Sequence, residues 1–335
     1  MIELHHAEEV AAACGGDDLL VWTAQRLPEG GARAFAHGGA VVAACPAVSK
    51  HDRLAVFGAA GDPALPALVR RVWREMGTGL RPFGDREVIH RLVEAMPGEL
   101  GPAGNFTWMT VDPHTVRLDP ARLDTARLTT GPLETRSLEM KSQRGRDDLP
   151  GLADVSGPLP AGLGRSSSPA AEPSPSAPGL AGRAGEAGEG RRGPVGSGGS
   201  PVLVEPRVGW LGPGDVEEVA RVLAVANPDA YARPGMPGVF RWAGIRDEGG
   251  RLVAVGADAW SAPTVGFVGG VATLPQARGS GLAGAICRFL TAALLERHGR
   301  VSLMVDDVNA AALAVYRRLG YARRPVAATR AVQEA

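Results

Sequence analysis

This chain of 335 residues is short of cysteine, lysine, aromatic side chains and net charge. Its three cysteines, Cys14, Cys45 and Cys287, are odd in number and scattered, which excludes a disulfide framework and a zinc-type ligand spacing. They are expected to be small buried apolar residues in a reducing compartment, and no metal is expected. Lys50 and Lys141 are the only lysines, and 36 Lys+Arg balance 36 Asp+Glu. A protein that binds nucleic acid by displacing counterions needs a concentrated basic surface, so that class is excluded. No apolar run approaches the roughly 18 residues of a membrane span; the longest, Leu282 to Leu295, is interrupted by Arg288. The start, Met1 to Glu9, lacks the basic and apolar regions of a secretion signal. A cytoplasmic location away from membranes is the expectation.

Aromatics, 5% of the chain, are also unevenly placed, with none between Trp108 and Trp210. Between 141 and 200, 31 of 60 positions are Gly, Pro or Ser, a composition that cannot offset the ordering entropy of a fold. The sequence therefore divides into an N-terminal domain (1–118), a largely disordered linker (119–205) and a C-terminal domain (206–335).

In the first domain, short apolar runs predict strands at Leu19–Ala24, Ala40–Cys45, Leu54–Phe57 and Phe106–Val111. Helical spacing predicts helices at Pro63–Met76 and Arg86–Ala95. After the linker, Val208–Leu211 reads as a strand. Asp215 with Glu218 reads as a capping box opening a helix to Ala226. Strands follow at Phe240–Arg246, Leu252–Ala259 and Val265–Thr273, then helix Gly281–His298, strand Val301–Val305, helix Asn309–Leu319 and a final short strand.

Chemistry concentrates in the segment Val271-Ala-Thr-Leu-Pro-Gln-Ala-Arg-Gly-Ser-Gly-Leu-Ala283, a strand, a short loop and a helix start. Glycines at 279 and 281 let backbone N–H groups converge at the positive end of a helix, a geometry suited to a pyrophosphate. Taken literally, Gly279 to Gly284 is G-x-G-x-x-G with Asp306 22 residues on, near a dinucleotide fingerprint. Against that stand the five-residue gap after the strand, Pro275 and Arg278 in the loop, and only 29 residues after Asp306.

The other frame is Gln276-x-x-Gly279-x-Gly281. It resembles the acyl-CoA signature of the GNAT superfamily of N-acyltransferases, and Asn309-x-x-Ala312-x-x-x-Tyr316-x-x-Leu319-Gly320-Tyr321 resembles that superfamily's asparagine-to-tyrosine helix. The two stand in the family's order, with a strand between them. The resemblance covers about residues 207–330. It implies a mixed, mostly antiparallel sheet splayed where the cosubstrate enters, beside a smaller N-terminal α/β domain. It also implies direct transfer of an acetyl group from acetyl-CoA to an amine on a small molecule or peptide.

By the same resemblance the CoA-binding set is Val271, Ala272, Thr273, Gln276, Arg278, Gly279, Ser280, Gly281, Leu282, Ala283, Asn309 and Tyr316. Tyr316 is the implied proton donor to the departing thiolate. By propensity alone, capping its helix is the preferred role of Asn309. Gly266, Gly269 and Gly270 interrupt a good strand, as a bulge or a close approach does. That strand carries no carboxylate, which leaves the general base unassigned. Asp258 on the neighbouring strand is a candidate, with surface solvation the preferred reading. The loop Tyr231–Gly238 follows the first helix of the domain, on the expected acceptor side. A non-catalytic acyl-CoA sensor is the alternative function. The first domain has no phosphate loop and no triad; His5-His6 is read as a solvated end. A degenerate half of a tandem chain and an unrelated α/β substrate domain both remain open for it.

Overall fold

The computed structural model describes residues 1–27, 29–118 and 207–332; the expected linker lies outside them. Among the described residues twelve strands form one sheet. They are β1 (Ile2–Leu4), β2 (Arg33–His37), β3 (Ala40–Cys45), β4 (Arg53–Phe57), β5 (Arg81–Asp85), β6 (Gly104–Val111), β7 (Val208–Trp210), β8 (Val239–Arg246), β9 (Leu252–Ala259), β10 (Gly266–Thr273), β11 (Val301–Val305) and β12 (Ala322–Ala328). Their spatial order is β1-β2-β3-β4-β5-β12-β6-β11-β10-β9-β8-β7. Only β4–β5 and β10–β11 pair in parallel. The architecture is a mixed α/β fold on a large, mostly antiparallel open sheet.

The order reads as two runs meeting in the middle. Strands β1 to β5 enter from one side and β7 to β11 from the other. The last strand of each run is exchanged: β12 lies against β5, and β6 lies against β11. The exchanged strands pair with each other over seven positions, Ala322↔Thr110 to Ala328↔Gly104.

Helices follow the same duplication. In the N-terminal run, α1 (Ala7–Ala13) and α2 (Asp18–Thr23) precede β2, α3 (Ala64–Met76) joins β4 to β5, and α4 (Arg86–Ala95) precedes β6. In the C-terminal run, α5 (Val216–Ala226) precedes β8, α6 (Leu282–His298) joins β10 to β11, and α7 (Ala310–Arg318) precedes β12. Crossover helices such as α3 and α6 are what a parallel strand pair requires. One apolar cluster lies under α3 and α4 and takes in Ala327 of β12; another lies under α6 and α7 and takes in Met109 and Val111 of β6. A third is shared across the middle, where Trp22 stacks on Phe267 (4.9 Å) and donates its indole N–H to the Trp260 carbonyl (2.7 Å).

Two local readings are corrected. Leu19–Ala24 is not a strand: Asp17 accepts from the backbone N–H groups of Leu19 and Leu20, and the apolar run forms the buried helix α2. The Asp215/Glu218 capping box does not form at the start of α5. Glu218 instead accepts from the Leu252 N–H (2.9 Å) and pairs with Arg246, while Asp215 accepts from the Gly212 N–H and pairs with the same arginine. The three cysteines are buried, as expected; burial pushes Cys45 and Cys287 up to about 12, so neither is a reactive thiolate near neutral pH. No helix of the described residues is long and apolar enough to cross a membrane.

Candidate active site

The sheet opens at the β10–β11 pair. Register holds at Gly266↔Val301 and Phe267↔Ser302 and then stops, so from Val268 onward the edge of β10 facing β11 has no strand partner. On its other edge, the pairing of β10 with β9 slips between Gly269 and Ala272. Gly270 makes that slip possible: its φ of +61° is in the left-handed region, and a Cβ there would lie 2.6 Å from the Trp242 ring. Gly266 serves packing instead, because a Cβ would lie 2.8 Å from Leu294 of α6.

A cavity of about 1190 Å³ fills the opening. One wall is Val268–Thr273; another is the start of α6; a third is the end of β11 with Asn309, Ala312, Val315 and Tyr316 of the following segment. Gly279 (φ +83°) and Gly281 (φ +78°) set the turn into α6, and a Cβ built at either meets nothing within 4 Å. The first N–H groups of any helix have no intrahelical acceptor. Here they stand beside open space with no capping side chain.

Most of the expected CoA-binding residues surround this cavity: Val271, Ala272, Thr273, Arg278, Gly279, Gly281, Leu282, Ala283, Asn309 and Tyr316. Gln276 and Ser280 do not. Gln276 is exposed in the 3-10 turn Pro275–Ala277, and Ser280 donates its hydroxyl to the Ala277 carbonyl. Arg278 is held across the loop mouth, donating to the carbonyls of Thr273 and Ala226 (both 3.2 Å). Asn309 caps α7, accepting from the Ala312 N–H at 3.0 Å.

Tyr316 is buried, its ring 5.6 Å from that of Tyr321 and with the Cys287 thiol of α6 nearby. Burial raises its pKa well above the ordinary phenol value, so the hydroxyl keeps its proton.

Asp258 is neither solvated nor at the cavity. It is 1% exposed, accepts from Arg241 (3.3 Å) and from the Ser261 hydroxyl (2.5 Å), and pins the β9–β10 corner. Among the described residues no cluster of three His, Cys, Asp or Glu is placed to hold a metal.

Sequence reading missed one wall altogether. Ser49, His51, Arg53 and Arg81 of the N-terminal run line the same cavity, opposite Tyr231 and Trp260. Tyr231 meets the His51 ring edge-on (5.7 Å), and the Lys50 ammonium sits 5.1 Å above the Tyr231 ring. No local motif marks these residues; the exchange of strands brings them there.

Acyl-CoA offers a diphosphate, an extended amide-bearing arm and a thioester. The residues fit that group. The α6 start presents glycine backbone to open space for the diphosphate, and the free edge of β10 can pair with amides. The Thr273 hydroxyl is buried beside the cavity without a protein partner.

The FR47-like protein family matches residues 243–331, from within β8 to just beyond β12. A mycothiol acetyltransferase of Salinispora arenicola is 37% identical over 108 residues, 32% of this chain and 30% of that relative. The chain thus matches under a third of that curated relative's length. Among solved structures, a GCN5-related N-acetyltransferase from Kribbella flavida is 16% identical, with 95% of this chain and 96% of that one covered and a TM-score of 0.49. A GCN5-related N-acetyltransferase-like protein from Streptococcus suis is 10% identical, covering 97% and 98%, with a TM-score of 0.48. The glycine turn at Gly279–Gly281, the splayed strand β10 and the asparagine-to-tyrosine helix all lie inside residues 243–331, so it is the C-terminal part of this chain that is similar to the FR47-like family and to the acetyltransferase relative.

Proposed function

We propose that the protein is an N-acetyltransferase that moves an acetyl group from acetyl-CoA to an amine by direct transfer in a ternary complex. The observation that carries this reading is the single cavity joining the unpartnered edge of β10, the uncapped start of α6 and the face of α7. Bound there, acetyl-CoA supplies the activated carbonyl.

The chain's own residues do the rest. Backbone N–H groups at the α6 start hold the diphosphate, with Arg278 beside them as a balancing charge. The open edge of β10 at Val271–Thr273 orients the acyl end and polarises its carbonyl. Tyr316 donates a hydrogen bond to the leaving sulfur. Its raised pKa makes complete proton transfer to a thiolate uphill, so stabilisation by hydrogen bonding is the role its burial allows.

The burial of Tyr316 against the Tyr321 ring equally suits a packing residue, and that favours the second reading, a CoA-binding sensor without turnover. Mass spectrometry of an amine panel incubated with purified protein and acetyl-CoA separates the two. Acetylated product supports the enzyme; CoA binding with no product on any amine supports the sensor.

A further inference from the structure

Among the described residues, Arg53 is the only buried arginine or lysine, at 4% exposure, and no carboxylate lies within ion-pair distance of it. Its Nε donates to the Ser49 hydroxyl (3.3 Å) and its guanidinium lies 5.1 Å over the Phe83 ring. Neither contact balances the charge, and burying a guanidinium without a counter-charge is expensive.

The neighbourhood makes the imbalance worse. Arg81 is the direct register partner of Arg53 across the parallel β4–β5 pair, so the two side chains share a face of the sheet. It too lines the cavity and has no ion pair among the described residues. Asp52, the residue before Arg53, instead accepts from the Ala47 N–H (2.7 Å). Asp229, the carboxylate on the facing loop, pairs with neither arginine. His51 reports the resulting field: desolvation, then Arg53, Arg81 and Lys50, hold its imidazole neutral with a pKa lowered to about 4.

Two adjacent guanidinium groups, one of them buried, therefore face a cavity that runs on to the splayed strands. The planar fork of a guanidinium matches the oxygens of a carboxylate or phosphate. We propose that the wall formed by Arg53 and Arg81 is an oxyanion subsite for the acceptor, so that the amines taken are amino acids or amino phosphates and not simple amines. This rests on the acetyl-transfer reading above for the word acceptor, but not for the anion site itself. The N-terminal run then has a function in the reaction: it recognises the acceptor, while the C-terminal run holds CoA.

The test uses the full chain and separates the two layers. Calorimetric titration with N-acetylglycine, inorganic phosphate and the uncharged N-acetylglycinamide reads the anion site without turnover. Binding of at least one of the two anions but not of the amide, weakened tenfold or more in both Arg53→Met and Arg81→Gln, is the expected result. Which anion binds identifies carboxylate or phosphate as the natural group. CoA affinity, titrated separately, should be the same in both variants. Kinetics then compare glycine with glycinamide and 2-aminoethyl phosphate with 2-aminoethanol in wild type, where the preferred anionic member should have a KM at least tenfold lower. Equal KM values within both pairs, or anion binding indifferent to both substitutions, overturn the subsite while leaving acetyl transfer standing. Arginine-dependent anion binding in a protein that neither binds CoA nor acetylates any amine overturns the transferase and leaves the subsite. Should Arg53→Met not fold, the partly exposed Arg81→Gln and the wild-type substrate pairs still decide.

Discussion

The two halves of the sheet are built on the same plan and differ where chemistry would occur. In the C-terminal half, β10 and β11 pair at two positions and then part. In the N-terminal half, the equivalent β4 and β5 stay paired over four, Arg53↔Arg81 to Val56↔Gly84. Gly84 lets them close, since a Cβ there would lie 2.3 Å from the Val56 carbonyl oxygen. The helix starts differ as well. The first turn of α6 is free, whereas Asp62 accepts from the Ala64 N–H (2.9 Å) at the start of α3 and places a carboxylate where a diphosphate would sit. One half keeps an opening and a positive helix end. The other has zipped the opening and neutralised the end, and contributes a wall.

The strongest way to break the comparison is to put a carboxylate at the α6 start. Gly281→Glu is expected to lower CoA affinity by more than about 10²-fold, by repulsion of the diphosphate. Because Gly281 has φ +78°, Gly281→Asn is the control for backbone strain, as asparagine tolerates that conformation; it should bind CoA within about tenfold of wild type. Equal loss in both variants would reduce the effect to strain.

Next in size is Tyr316→Phe, which keeps the packing against Tyr321 and removes the hydroxyl. Turnover should fall on the order of 10²-fold with CoA affinity unchanged. Full activity removes Tyr316 from the chemistry, and parallel loss of rate and affinity makes it a packing residue.

Gly84→Ala sharpens the other side of the comparison. Forcing a methyl group against the Val56 carbonyl should destabilise the fold by about 1–3 kcal/mol, read by chemical denaturation, with CoA affinity retained. A fully stable Gly84→Ala protein would mean that the closed crevice is loosely held.

These elements were unequally visible in the sequence. Ala40–Cys45, Leu252–Ala259 and Val301–Val305 were read at their observed limits because β-branched and small apolar residues bounded by turns leave little choice. Most of the wall proposed to hold CoA was legible because its glycines and its asparagine act locally, through φ, caps and helix ends. Leu19 to Ala24 was misread because a short buried helix and a buried strand share an unbroken apolar pattern. The wall of Arg53 and Arg81 was illegible: these residues acquire meaning only from the pairing of β4 with β5 and from the fold that brings them to the cavity β10 lines.

The smallest effect expected is at His51. Its pKa of about 4, against about 6.5 for an unperturbed imidazole, means that the unfolded chain binds a proton the folded one refuses between those values. Its contribution to stability is complete above pH 6.5 and is lost as pH falls toward 4. Nuclear magnetic resonance titration of the His51 ring should give a midpoint near 4, rising when phosphate or N-acetylglycine offsets Arg53 and Arg81. A midpoint near 6.5 in the free protein would contradict the positive field at that wall.

Strand exchange also sets an order of events during synthesis. Strand β5 cannot gain its second neighbour until Ala322–Ala328 have left the ribosome, roughly tens of seconds after β5 itself at ordinary elongation rates. Throughout that interval the nascent N-terminal half carries an unpaired sheet edge, the surface most apt to pair with another chain. The composition of β5, Arg81-Pro-Phe-Gly-Asp85, answers this hazard: a proline and two charges in five residues make a poor template for a foreign strand. The features that hide β5 from a sequence reader also hide it from its neighbours on the polysome.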